Sequence, residues 1–255
     1  MYKLIALDLD GTLLDNKSMI SERNLNAVLS CHRNDIQVVV VTGRPPRFTF
    51  GVIPELLTQN YCVCYNGAQI FRWGELVYEQ AVDTKILNAI LAETEADEKV
   101  VLEGRESVYS NFPMTTLWEG VQYKPVSLSH ENDVVYKLLV VDPSKNLFEK
   151  LNKKYSTQCY VVETDGGNLI EIMDKSVSKL NAIMWVAKEE HIDSKCVMAF
   201  GDDLNDFEII NGVGMGVAMG NGHKQLKAIA DIITLSNEDD GVAVVLEKMI
   251  EGSYE

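Results

Sequence analysis

The sequence predicts an α/β protein, a doubly wound parallel sheet interrupted by an inserted α+β domain. Three observations lead there. Short apolar runs alternate with segments whose apolar residues recur every three or four positions, the pattern of parallel strands joined by helices. That alternation lapses between about residues 83 and 174 and then resumes. Finally, successive apolar runs end in small polar or acidic clusters, as strands do when their carboxyl ends share one crevice. The expected organisation is a discontinuous core of residues 1–82 and 175–255, with the insert at 83–174.

Lys3–Leu9 reads as the first strand. If it is still extended at its end, Asp8 and Asp10 share a face beside a turn that Gly11 permits. Two close anions are costly unless a cation separates them or they share a proton-transfer task, although Asp-x-Asp-Gly is also an ordinary surface turn. Ser21 can cap a helix with Leu25, Val28 and Leu29 on one stripe. Gln37–Val41 is a buried-type strand ending at Thr42-Gly43-Arg44, and Pro45-Pro46 suits a loop or a helix start. Tyr61–Tyr65 is a third strand, followed by Asn66-Gly67 and a hairpin over Ala68–Gln80 that turns at Trp73-Gly74.

In the insert, a helix is expected over Thr84–Glu95 and another over Leu147–Tyr155. Strands are expected near Val100–Glu103, Ser107–Ser110 and Val134–Val141, with a pair, Cys159–Glu163 and Asn168–Ile172, flanking Gly166-Gly167. Core texture returns with a helix from about Ser176 to Glu190, whose Val177, Leu180, Met184 and Ala187 define one face. The strand Cys196–Phe200 ends in Gly201-Asp202-Asp203-Leu204-Asn205-Asp206, and a helix follows through Ile209 and Ile210. Strands Val213–Met219 and Ile232–Leu235 and helices Lys224–Ala230 and Val242–Ile250 complete the chain.

Composition excludes several functions. A formal charge of −15 over 255 residues argues against a nucleic-acid partner, which needs a basic face. No uninterrupted apolar stretch approaches the ~20 residues that span a bilayer, and the N-terminus does not read as a signal peptide. Five cysteines without a second Cys/His pair at ligand spacing argue for buried thiols in a reducing, cytoplasmic setting. An anionic substrate would need local positive charge to overcome the global field.

The clusters at the strand ends suit phosphoryl transfer. A carboxylate can attack phosphorus, and a second carboxyl group can protonate the leaving alcohol and then activate water. Mg²⁺ prefers oxygen ligands and offsets charge on both nucleophile and phosphate. A threonine hydroxyl, backbone N–H groups and a lysine would complete a phosphate cradle. Each piece also has a plainer reading. Thr42-Gly43 can end a strand, Lys179 can be a solvated lysine, and the acids at 202–206 can start a helix. Yet a lysine in a first helical turn opposes the macrodipole, a conflict that a bound anion resolves. Arg44 can meet substrate or pair with a neighbouring acid, and it stays outside the catalytic set.

The ordered set Asp8-Leu9-Asp10-Gly11-Thr12-Leu13-Leu14, Val41-Thr42-Gly43-Arg44, Asn66-Gly67-Ala68, Lys179 and Gly201-Asp202-Asp203-Leu204-Asn205-Asp206 resembles the haloacid dehalogenase superfamily. Within it, the chain resembles the Cof-type, sugar-phosphatase-like branch, as do Ala218-Met219-Gly220-Asn221 and Glu238-Asp239-Asp240-Gly241-Val242-Ala243. The resemblance implies a Rossmann-like core with a C2-type cap, and a Mg²⁺-dependent phosphatase acting on small phosphorylated metabolites, sugar phosphates above all. It implies Asp8 as nucleophile and metal ligand. Asp10 would be the general acid/base, touching the metal through its backbone carbonyl. Asp202 would be the third ligand and Asp206 a support of the metal shell. Thr42, Gly43, Lys179 and Asn205 would hold the phosphate. Two departures stand out: Leu180 where the family has Gly after the lysine, and Gly222 where it often has Ala. A leucine there can alter the start of the helix or narrow the site. A phosphomutase, a phospho-accepting signalling module and an inactive metabolite-binding protein are the alternatives. Arg105, Tyr109, Trp118 and Glu171 are conceivable leaving-group contacts.

Overall fold

The computed structural model describes residues 2–94, 97–118, 120–126 and 133–253. In chain order the elements are β1 (Leu4–Leu7), α1 (Glu22–Arg33), β2 (Gln37–Val41), α2 (Pro46–Thr49), α3 (Glu55–Thr58), β3 (Tyr61–Cys64), β4 (Gln69–Arg72) and β5 (Glu75–Glu79). Next come α4 (Thr84–Leu91), β6 (Lys99–Gly104), β7 (Val108–Ser110), β8 (Lys124–Pro125), β9 (Val135–Val141), α5 (Leu147–Tyr155), β10 (Cys159–Thr164) and β11 (Leu169–Asp174). The chain ends with α6 (Lys179–Glu189), β12 (Val197–Gly201), α7 (Phe207–Gly212), β13 (Met215–Ala218), α8 (Lys224–Ile229), β14 (Ile232–Ile233) and α9 (Gly241–Ile250). They fall into two compact units, 1–79 with 178–255, and 80–177.

The first unit is built on an eight-stranded sheet in the order β14-β13-β12-β1-β2-β3-β4-β5. From β14 to β3 every pairing is parallel, and the β3-β4-β5 hairpins add an antiparallel edge. The central strands are apolar throughout because both faces are covered. One face packs Leu4, Ala6, Val39, Val41 and Ala199 against Ala182, Ile183 and Val186 of α6 and Ile209 and Ile210 of α7. Alternate residues Ile5, Leu7, Val38 and Val40 are equally buried outside that cluster. Each such side chain contributes roughly 1.5–3 kcal/mol on burial. The site-bearing strand ends are thereby set on a rigid support.

The second unit is an α+β layer. Its sheet runs β10-β11-β9-β6-β7-β8, antiparallel except between β7 and β8. Leu87 and Ile90 of α4 and Leu147, Leu151 and Tyr155 of α5 pack on Val100, Leu102, Leu138, Val140 and Ile172. A smaller cluster includes Val101, Leu139 and Met114 with half-buried Phe112 and Trp118.

Several expected elements shift. The first strand stops at Leu7 rather than Leu9, because the chain turns at Asp8, with the Thr12 and Leu14 amides donating to the Leu9 carbonyl. The helix that begins at Thr84 ends at Leu91, and the expected terminus Glu95 lies outside the described residues. The α6 helix starts at Lys179, capped by the Ser178 hydroxyl, so Val177 precedes it. Its buried face is Ala182, Ile183, Val186 and Ala187, with Leu180 and Met184 half-buried.

Candidate active site

Four loops at the carboxyl ends of β1, β2, β3 and β12, together with the first residue of α6, bring the sequence-predicted residues together. Asp8 follows β1 directly and is buried. Lys179 at the start of α6 is almost fully enclosed, and its ammonium donates to Asp8 Oδ1 at 2.7 Å and to Asp206 Oδ1 at 2.6 Å. The second Asp206 oxygen accepts the backbone N–H of Asp202 at 3.1 Å and of Asp203 at 3.2 Å. Asp206 thus ties the lysine to the loop after β12. Carboxylate oxygens of Asp8, Asp202 and Asp206 lie within 4.8 Å of one another.

Around them, the Thr12 hydroxyl approaches Asp202 Oδ1 at 3.5 Å, and Asn221 Nδ2 donates to the Gly11 carbonyl at 2.8 Å and approaches Asp202 Oδ2 at 3.4 Å. Gly11 has φ 74, and a Cβ there would lie 2.2 Å from Asp202 Oδ2. Glycine is required for both reasons: the turn and the room for the acid.

The strand is not extended as far as Asp10, because the chain turns at Asp8. Asp8 is buried and Asp10 exposed. Asp10 accepts a two-pronged ion pair from Arg44, Nε to Oδ2 at 2.7 Å and Nη2 to Oδ1 at 2.5 Å. Of the two partners the sequence left open for Arg44, the structure provides the neighbouring acid. Thr42 is buried, and its hydroxyl oxygen accepts the Arg44 backbone N–H at 3.1 Å. Asn205 is exposed and donates from Nδ2 to Asn66 Oδ1 at 3.2 Å.

Leu180 leaves the lysine undisturbed. It points toward Gly212, where a Cβ would lie 2.6 Å from one of its methyl carbons, so the glycine makes space for the leucine. The conceivable leaving-group contacts in the second unit have local partners. Arg105 donates to the Tyr136 hydroxyl at 3.2 Å, Tyr109 to Asp133 at 2.9 Å, and Glu171 pairs with Lys137 at 3.0 Å. Trp118 packs against the smaller apolar cluster.

Electrostatically, three grouped carboxylates face one buried ammonium. Burial disfavours the Lys179 charge, but Asp206 and Asp8 outweigh it and hold its pKa above the ordinary value. Burial lifts Asp8 well above the carboxylate range; Lys179 opposes this, while Asp206 and Asp202 add to it. Burial, with Asp206 and Asp203 beside it, pushes Asp202 up to about 7. A divalent cation would offset that surplus of negative charge, and an all-oxygen donor set fits Mg²⁺. Asp8 and Asp202 are the best placed to hold it, since Lys179 and two backbone N–H groups hold the Asp206 oxygens at 2.6–3.2 Å, whereas the contacts on the Asp202 oxygens are longer, at 3.4 and 3.5 Å.

Sequence reasoning did not single out the roles of Asn66 or Asn221. The signals were present as motif residues, but their partners lie far along the chain.

A family model described as haloacid dehalogenase-like hydrolase matches residues 5–246. The Phosphatase YwpJ of Bacillus subtilis (strain 168) is 28% identical, over 97% of this chain and 100% of that protein. The 5-amino-6-(5-phospho-D-ribitylamino)uracil phosphatase YcsE of the same organism is 27% identical, over 97% of this chain and 96% of that one. A solved haloacid dehalogenase-like hydrolase from B. subtilis superposes with a TM-score of 0.81 at 27% identity, covering 96% of this chain and 99% of that one. With the grouped aspartates and the lysine in place, the chain belongs to the haloacid dehalogenase-like hydrolases and is a phosphatase of that family.

Proposed function

We propose that this phosphatase hydrolyses small phosphorylated metabolites, sugar phosphates above all, with Mg²⁺ and through an aspartyl-phosphate on Asp8. The observation that carries the reading is the buried Asp8 carboxylate, gripped by Lys179 and grouped with Asp202. Mg²⁺, when bound, would neutralise the carboxylates and the phosphate oxygens, with Asp8, Asp202 and the Asp10 carbonyl as protein ligands and Asp206 in support. The phosphorylated ribityl chain in the name of the YcsE relative is the kind of substrate this reading extends to the present chain.

Lys179 occupies Asp8 Oδ1, so Oδ2 is the attacking oxygen. It bonds to phosphorus as the bond to the leaving oxygen breaks, and Asp10 gives that oxygen its proton. Water then attacks phosphorus, passes a proton to Asp10, and the bond to Asp8 breaks to release phosphate. Asp10 must free one oxygen from the Arg44 fork to carry that proton. The Thr42 hydroxyl oxygen accepts from the Arg44 N–H, and its hydrogen remains to donate to the phosphate. Lys179 spends two of its three donors on Asp8 and Asp206, which leaves one for the phosphate. The Gly43 N–H and the Asn205 amide complete the cradle. The unit 80–177 is assigned as the C2-type cap, and the free cysteines support a reducing, cytoplasmic setting.

A phosphate-release screen over sugar phosphates, nucleotides, pyridoxal phosphate and flavin mononucleotide tests the reading. Mg²⁺-dependent release, greatest with sugar phosphates, is expected. Phosphate that stays on the protein over minutes would overturn hydrolysis in favour of signalling, and transfer between positions of one sugar would favour a mutase.

A further inference from the structure

We propose that Asn66 is a positioning residue of the phosphate site, its carboxamide fixing the orientation of Asn205. The inference rests on the phosphate-binding role given to Asn205 above. Asn205 sits exposed in a one-turn helix, where an asparagine side chain would otherwise rotate freely. Its Nδ2 is held by Oδ1 of Asn66, a buried residue 139 positions away.

The backbone at Asn66 is unusual. Tyr65 and Asn66 are consecutive non-glycine residues at φ 52 and 54, a conformation that persists only when its surroundings impose it. The imposing contacts come from the β2 end. The Tyr65 N–H donates to the Arg44 carbonyl at 3.1 Å and the Asn66 N–H to the Thr42 carbonyl at 2.9 Å. The carboxamide then lies against Gly43, where a Cβ would come within 3.1 Å of Oδ1 and 3.4 Å of Nδ2. Behind it Gly67 backs onto the carbonyl of Ser178, the residue that caps α6 at Lys179. Asn66 therefore joins the Thr42-Gly43 loop to Asn205, and its loop abuts the start of the lysine helix. Packing alone needs no side chain there that can accept a hydrogen bond from Asn205.

The test is a double-mutant cycle read by calorimetric binding of inorganic phosphate in the presence of Mg²⁺. Asn66→Gly keeps positive φ accessible while removing the carboxamide. It is expected to weaken phosphate binding about tenfold, the scale of one net hydrogen bond. In an Asn205→Ala background the same change should add nothing. Wild-type affinity in Asn66→Gly, equal losses in both backgrounds, or wild-type affinity in Asn205→Ala would each overturn the proposal. Should Asn66→Gly fail to fold, Asn66→Asp retains the acceptor and tolerates positive φ. Asn205→Ala must then cost as much beside Asp as in wild type, and a negligible cost overturns the idea. A wild type that binds phosphate but cleaves no ester contradicts the hydrolase reading while the cycle still reports on Asn66. One that does neither overturns both.

Discussion

Lys179 is the buried cation that Asp8 and Asp206 share. Replacing it with methionine leaves Asp8 and Asp206 buried without their cation, and breaking such a pair costs about 3–5 kcal/mol. Urea unfolding of Lys179→Met in EDTA should show that loss. The raised acids also set a pH dependence. An acid whose pKa rises on folding keeps its proton in the native state after the unfolded chain has lost it, so stability falls as pH increases. For Asp202 the contribution is intact below about 3.9, the ordinary aspartate value, and is lost as pH rises through about 7. The metal-free protein should therefore have a lower urea midpoint at pH 8 than at pH 5, and Asp202→Asn should reduce the difference. Saturating Mg²⁺ should restore more stability at pH 8, because its ligands must be deprotonated. These residues were legible in the sequence as carboxylates and a lysine. That Asp8 is buried while Asp10 is exposed and paired was not, because it depends on where β1 stops and on Arg44, 34 positions from Asp10.

Elements were easiest to read where apolar residues run unbroken, as in Gln37–Val41, or recur at helical spacing, as in Leu147–Tyr155. Both match their expected bounds. The α3 helix was not expected, since four residues are too few to show a helical period. The α1 stripe moved because Asn24, a polar residue, is buried in it, satisfied by donation from the Ala243 backbone N–H to its Oδ1 at 2.9 Å. A single sequence window cannot reveal a partner that distant. At α6, Leu180 packs beside Gly212 while Lys179 is fixed independently by two carboxylates. Leu180→Ala is accordingly predicted to lower stability by about 1–2 kcal/mol, less than a fully buried leucine, and to leave kcat within about twofold of wild type. A large fall in kcat would show that Leu180 helps place the lysine.

Across the whole molecule, the parallel core and the α+β unit follow from where sequence periodicity changes. Within the insert, the partners of Arg105, Tyr109 and Glu171 were not legible, because sequence alone does not show which side chains its strands bring together. The charge of −15 has its own consequence. It repels an anionic substrate at long range, and salt screens that repulsion over a Debye length of about 8 Å at physiological ionic strength. At fixed free Mg²⁺, kcat/KM for a phosphate monoester should rise roughly two- to fivefold between about 0.01 and 0.15 M salt. A steep fall would mean that local positive charge dominates encounter.

The role of Asp8 is tested most directly by phosphate release from Asp8→Asn, with its fold checked by circular dichroism. The change keeps the shape of the side chain and removes the nucleophile, so the rate should drop by at least roughly a thousandfold. Release at the wild-type rate from the folded variant would contradict the aspartyl-phosphate mechanism.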